Sequence, residues 1–248
     1  MNLAQRLSIN TAPAAIERLA GLTPLDPAAL EALERAIGKA QHIKPRFELF
    51  SDGRPTKSPL LVLDGWTARI RQLPDGRRQL VSFGLAGDTI GNCQFDGALA
   101  SSTVLALEPV QVCPVPDTTN LPSLARAFAI ARALDEAYLM AQVTRIGRLN
   151  AHERTVDLLL EFYERLEDAG LATNGRFRIP LTQETMSDAL GLTPVHLNRT
   201  LQQARRAGEL TWTGREVTLS DPAALAFSVG HVRARVIAGH DGGFARQG

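Results

Sequence analysis

Residues 181–210, LTQETMSDALGLTPVHLNRTLQQARRAGEL, carry two short helices, a tight turn between them and a basic polar face on the second. Thr182 is placed to cap the first helix, and Glu184 lies near its positive end, where a carboxylate is favoured. Gly191 falls where the chain must turn sharply, a position that a residue without Cβ tolerates. Thr193 caps a second helix, and Pro194 takes its first position, where the missing N–H costs nothing. Leu197, Leu201 and Ala204 follow at helical spacing and face inward, which leaves Val195, Asn198, Arg199, Gln202 and Arg206 on other faces. From Thr193 to Gly208 there are three arginines and no acidic residue. A recognition helix needs this combination: an apolar side to dock on its own domain, and donors to reach base edges and phosphates. A capped helix pair with exposed arginines also occurs in ordinary helical domains. The next residues decide between the two readings. Glu209 to Asp221, ELTWTGREVTLSD, alternates around Thr213–Gly214 as a two-strand hairpin, and a helix pair followed by a hairpin is the winged helix-turn-helix.

These residues resemble the C-terminal domain of the CRP/FNR family of bacterial transcription regulators. LTPVHLNRTLQQARRAGEL (192–210) matches the family's recognition-helix pattern, with Arg199 at its base-reading arginine position. GWTARIRQLPDGRRQLVSFGLAGDTIG (65–91) resembles the family's β-roll sensor domain, and RIGRLNAHERTVDLL (145–159) its interdomain junction. The resemblance implies an α+β fold with an N-terminal jelly-roll β-roll, a long dimerisation helix and a C-terminal winged helix-turn-helix. The expected divisions are an N-terminal extension (1–24), a sensor domain (25–120), the dimerisation helix (121–150), the DNA-binding domain (151–228) and a flexible tail (229–248). It also implies a homodimer on an inverted-repeat site of double-stranded DNA, with RNA polymerase as a further partner.

Composition fits this organisation. With 248 residues the chain can bury a substantial core, and its net charge of only +1 means that nucleic-acid contacts must come from local clustering. No segment approaches transmembrane length, and a cytoplasmic protein is expected. Residues 1–40 read as helical, with Asp26–Pro27 opening a helix in which Leu30, Leu33 and Ile37 share a face. From Pro59 to Val115 the pattern is short strands punctuated by turns, Pro74-Asp75-Gly76 among them, as in a jelly roll. Leu121 to Leu149 reads as one long helix in which Leu124, Phe128, Ala131, Tyr138 and Leu149 approach a 3–4 repeat, interrupted by Asp135, Gln142 and Arg145. The resemblance makes that helix the dimer seam; the alternative is a helix packed on its own β-roll.

Family members that bind a cyclic nucleotide use a glutamate for the ribose and an arginine for the phosphate. Here Asn92 follows Gly91, and no arginine or lysine lies between Arg78 and Arg126. A buried phosphate with no cation is unfavourable by several kcal/mol, so cyclic AMP is not expected to bind in the usual way. Arg69, Arg71, Arg77 and Arg78 read as solvated hairpin arginines, with an anion elsewhere on the roll as the alternative. The two cysteines, Cys93 and Cys113, are too few for a four-thiolate cluster, though they are candidates for a redox pair. No cofactor and no metal site is expected, and any small-molecule effector stays unidentified.

For DNA, Arg199 is expected to read guanine O6 and N7 bidentately, Asn198 an adenine edge or a phosphate, and Val195 a thymine methyl, where many family members carry a glutamate. Thr182, Gln183, His196, Gln202, Arg205, Arg206 and Arg215 are phosphate candidates. A competing class is an effector-binding sensor whose winged domain docks a protein. Enzymatic function is not expected: the five histidines lack metal-ligand spacing, and no phosphate-binding glycine loop or serine elbow is present.

Overall fold

The computed structural model describes residues 13–56, 58–91 and 97–236, and the chain is an α+β protein. It opens with helices α1 (Pro13–Leu22) and α2 (Pro27–Ile37). The Asp26 carboxylate starts α2 by accepting the Ala29 N–H at 2.9 Å, and Leu33 and Ile37 are buried as their spacing predicts. Among the described residues eight strands follow: β1 (Gln41–Ile43), β2 (Glu48–Phe50), β3 (Leu60–Asp64), β4 (Thr67–Gln72), β5 (Arg78–Gly84), β6 (Thr89–Ile90), β7 (Thr103–Ala106) and β8 (Val110–Pro114). They form two antiparallel sheets ordered β1-β8-β3-β6 and β2-β7-β4-β5, the jelly-roll arrangement read from the sequence. Gly76, at φ 87°, closes the β4–β5 hairpin, where the Leu73 N–H reaches the Arg77 carbonyl at 2.7 Å. Phe50, Val62, Ile90, Val104 and Val112 fill the interior of the roll. Cys113 is fully buried, which pushes its thiol up to about 12 and leaves it protonated; Cys93, its expected redox partner, lies outside the described residues.

The long helix α3 (Pro122–Arg148) packs along one side on its own chain. Leu124 and Phe128 are buried against α1, α2 and the roll, while Ile130, Leu134 and Tyr138 are covered by Leu22 and Ala234. Of the residues nearest a 3–4 repeat, Leu124, Phe128, Ala131 and Tyr138 therefore face the chain's own core, while Leu149 is the half-buried cap after the helix. The opposite stripe is open, with Met140 at 59% and Val143 at 67% exposure.

Helix α4 (Ala151–Glu167) starts in a capping box: Asn150 accepts from the Glu153 N–H, and the Glu153 carboxylate accepts from the Asn150 N–H. It is buried on nearly every side, because one face meets the roll and the other the winged domain. That domain comprises β9 (Ala172–Thr173), β10 (Arg176–Arg178), α5 (Gln183–Leu190), α6 (Pro194–Arg206), β11 (Leu210–Thr213), β12 (Glu216–Leu219) and α7 (Pro222–Val229). Its sheet runs β11-β12-β10-β9. Strands β9 and β10 form a hairpin whose turn has positive φ at Asn174 and Gly175.

The expected loose tail is anchored at its start. The His231 side chain is buried, with Nδ1 2.7 Å from Asp157 Oδ1 and Nε2 3.3 Å from Glu164 Oε2, the latter an ion contact without hydrogen-bond alignment. Arg233 pairs with Asp168, which also receives Arg18 of α1 at 3.2 Å. The rest of the tail, residues 237–248, lies outside the described residues. Burial alone would push the His231 pKa down, but the two carboxylates outweigh it and raise it from 6.5 to about 9. A raised histidine pKa stabilises fully below 6.5 and loses that contribution as pH rises through 9. Stability should therefore fall over this window by on the order of 2 kcal/mol, less than the full linkage value because Arg145 shares Asp157. Urea titrations of wild type and His231→Gln across that range check this, and the variant should lack the fall.

Candidate nucleic-acid interface

The helix pair forms as its caps dictate. Thr182 Oγ1 accepts from the Thr185 N–H at 3.1 Å to start α5, and Thr193 Oγ1 accepts from the His196 N–H at 3.2 Å to start α6. Gly191 between them sits at φ 63°, a left-handed conformation that a side chain would strain. Leu197, Leu201 and Ala204 are buried in one core with Val156, Leu159 and Leu190, so α6 docks on α4 and α5 through its apolar side. Each fully buried leucine there contributes roughly 1.5–3 kcal/mol.

The outward side of α6 presents Val195 at 81% exposure, with His196, Arg199, Gln202 and Arg206 exposed around it and Asn198 half-buried. Gln183, Pro194, Val195, Asn198, Arg199 and Gln202 line one shallow groove of about 450 Å³. The structure thus brings Val195, Asn198, Arg199, Gln183 and Gln202 together. Among the described residues the Arg199 guanidinium has no intramolecular partner, and neither do the His196 ring or the Arg206 guanidinium. Two other candidates are turned toward protein. Arg205 donates to the Trp212 carbonyl of β11 at 2.9 Å and so holds the wing, and Arg215 lies 3.8 Å from Glu108 of the roll. Glu108 also takes both terminal nitrogens of Arg178, at 3.0 and 2.6 Å. Thr182 is occupied as a cap and bonded to the Thr185 hydroxyl at 2.9 Å.

The domain carrying this face is fixed to the roll by polar contacts that sequence spacing does not show. Arg78 reaches Asp188 of α5 at 2.6 Å, and Gln142 of α3 donates to the Ala189 carbonyl at 2.6 Å. Arg165 of α4 donates to the Phe83 carbonyl at 2.9 Å and pairs with Asp88, its guanidinium 4.4 Å above the Tyr138 ring. Arg145 of α3 bonds Asp157 and Glu161 of α4, each at 2.6 Å.

A second concavity, of about 240 Å³, lies in the roll and is lined by Phe50, Thr56, Arg69, Ser101, Ser102 and Asp135 among others. Arg69 is not a solvated hairpin arginine. It supplies a cation from β4 that the segment beyond Arg78 lacks, and it is bonded to Asp135 of α3 at 2.6 Å. Arg71 and Arg77 pair with Asp52 and Asp75. Asn92 lies outside the described residues, and among those described no helix is long and apolar enough to cross a membrane.

Comparison with known proteins agrees with this architecture. The Crp-like helix-turn-helix domain matches residues 153–227, which span α5, α6 and the wing. The nitrogen fixation regulation protein FixK of Bradyrhizobium diazoefficiens is 29% identical over 218 residues, covering 85% of this chain and 90% of that protein. The fumarate and nitrate reduction regulatory protein of Escherichia coli is 25% identical over 210 residues, covering 82% and 84%. The solved structure of FixK2 from Bradyrhizobium japonicum superposes with a TM-score of 0.65 at 24% identity, covering 80% of this chain and 98% of that one. These relatives are transcription regulators, and the chain carries a Crp-like helix-turn-helix domain and is a homologue of FixK and of the fumarate and nitrate reduction regulator.

Proposed function

We propose that the protein is a homodimeric transcription regulator that binds an inverted-repeat site in double-stranded DNA through the outward face of α6. The observation that carries this reading is Arg199: a guanidinium with no partner among the described residues, beside the 81%-exposed Val195, on a helix whose other side is locked into the core. Arg205 and Arg215 of the same domain, by contrast, are engaged by the Trp212 carbonyl and by Glu108. In this reading Arg199 takes guanine O6 and N7, Val195 packs on a thymine methyl, and Asn198 takes an adenine edge. His196, Gln183, Gln202 and Arg206 reach phosphates, while Arg205 and Arg215 orient the wing. Met140 and Val143, exposed one helical turn apart on the side of α3 away from its own core, support self-association through this helix. The Arg69–Asp135 pair supports the view that cyclic AMP is not bound in the usual way: a phosphate would have to displace a carboxylate already 2.6 Å from the arginine.

Selection from a random duplex pool, without added ligand, tests the reading. It should return an inverted repeat with half-sites about one helical turn, roughly 34 Å, apart. Arg199→Ala should then weaken binding by roughly 1–3 kcal/mol and flatten preference at one base pair per half-site. Equal loss on all duplexes would remove Arg199 from base readout. Salt-insensitive binding would favour a winged domain that docks protein, and failure to enrich any motif would point to a required effector in the roll or to such a protein partner.

A further inference from the structure

Three amides form a ladder across the two helices. Asn198 Nδ2 donates to Gln183 Oε1 at 3.1 Å, and Gln202 Nε2 donates to Asn198 Oδ1 at 2.9 Å. Gln183 is the first residue of α5 and Asn198 lies on α6, so the contact crosses between helices; Gln202 is one helical turn beyond Asn198. We propose that Gln183 is a positioning residue that fixes which way the Asn198 amide faces and thereby sets an adenine preference at the base pair that Asn198 meets. The proposal rests on the reading of α6 as a DNA-reading helix.

The chemistry is directional. Adenine offers an N6 amine donor and an N7 acceptor in the major groove, so an asparagine must bring its oxygen to N6 and its N–H to N7. A reversed amide sets donor against donor and lone pair against lone pair. An asparagine alone on a helix surface turns about χ2 and presents either face. Here its nitrogen is held by an acceptor on one side and its oxygen by a donor on the other. One N–H and one oxygen lone pair stay free, which is the set that a bidentate contact with adenine uses. The ladder could run in the opposite sense only if all three amides turned together. A DNA phosphate removes that alternative. Its oxygens only accept, so a phosphate at the start of α5 draws Gln183 Nε2 outward and leaves Oε1 facing Asn198. The backbone contact and the base readout are thus linked through a single side chain.

Binding titrations with the selected duplex and with variants at each half-site position test this, using purified full-length wild type and Asn198→Ala, Gln183→Ala, Gln183→Glu and Arg199→Ala. Asn198→Ala should abolish an adenine preference of about tenfold at one base pair. Gln183→Ala should remove most of that same preference while the guanine preference assigned to Arg199 persists. Gln183→Glu should restore it, because a carboxylate still accepts from Asn198, while binding to every duplex weakens through repulsion from phosphate. Uniform weakening by Gln183→Ala with the adenine preference intact would overturn the proposal and leave Gln183 as a phosphate contact alone. An Asn198→Ala protein with unaltered preferences would also overturn it. The Arg199→Ala arm reports separately whether α6 reads DNA at all.

Discussion

Replacing Arg145 with leucine is expected to destabilise the protein by about 3–5 kcal/mol, because it leaves buried carboxylates without their cation. Arg145 is 1% exposed, and its guanidinium is shared among Asp157, Glu161 and Gln142. Burial alone would push its pKa down, but Glu161 and Asp157 outweigh that and hold it above the ordinary arginine value. Asp157 shows the reciprocal effect: burial pushes its carboxyl up, and His231 and Arg145 together bring it below the usual 3.8. Without Arg145 these acids keep His231 and Arg165 as partners, which places the loss toward the lower end of the range. A triple variant, Arg145→Leu with Asp157→Asn and Glu161→Gln, should recover part of the loss, since neutral amides are easier to bury than unpaired charges. Urea unfolding at fixed protein concentration measures both effects. A loss below about 1 kcal/mol for the single variant would mean that the network is open to water.

The same residue shows where sequence reading stops. Arg145 breaks the phase of the long helix and reads as a junction charge, yet it is the anchor of the corner between α3 and α4. Its partners lie 12 and 16 residues on, past the bend at Leu149 and Asn150, and no helical period connects them. The helix pair, the wing and the β4–β5 hairpin were legible because their signals are local: a cap, a proline at the first position, a glycine at positive φ. Asn174–Gly175 was an equally local signal for the β9–β10 hairpin. The face of α3 was harder, since a repeat of apolar residues marks a buried stripe without naming what buries it. Here α1 and the segment after α7 cover it. Arg69–Asp135 and Gln183–Asn198 join residues 66 and 15 positions apart, and only the fold brings them together. The exposed face of α6 was legible, but the amide contacts that hold Asn198 on it were not.

Phe162→Ala is expected to have a comparable effect, about 3–5 kcal/mol, for a different reason. Phe162 is fully buried on α4 and meets Trp66 and Phe83 of the roll edge-on, with ring centroids 4.8 and 4.9 Å apart. Truncation removes both aromatic contacts and leaves a cavity where α4 presses on the roll; Phe162→Leu, leaving a smaller void, should lose roughly 1–2 kcal/mol. The position matters as much as the volume. Trp66 and Phe83 belong to the same continuous core as Leu197, Val217 and Leu225, so roll and winged domain share buried surface rather than merely touching. Two domains joined through a common core unfold together. Wild type should therefore melt in one transition, and Phe162→Ala should separate it into two. The two tryptophans distinguish the halves, with Trp66 at the joint and Trp212 on the wing, so each can be followed by fluorescence after substituting the other with phenylalanine. Coincident transitions in the alanine variant would show that the ion pairs at Asp88, Asp188 and Glu108 hold the domains together without the aromatic contact. Separate transitions would show that apolar packing couples them and that the polar seam only sets the angle at which α6 is presented.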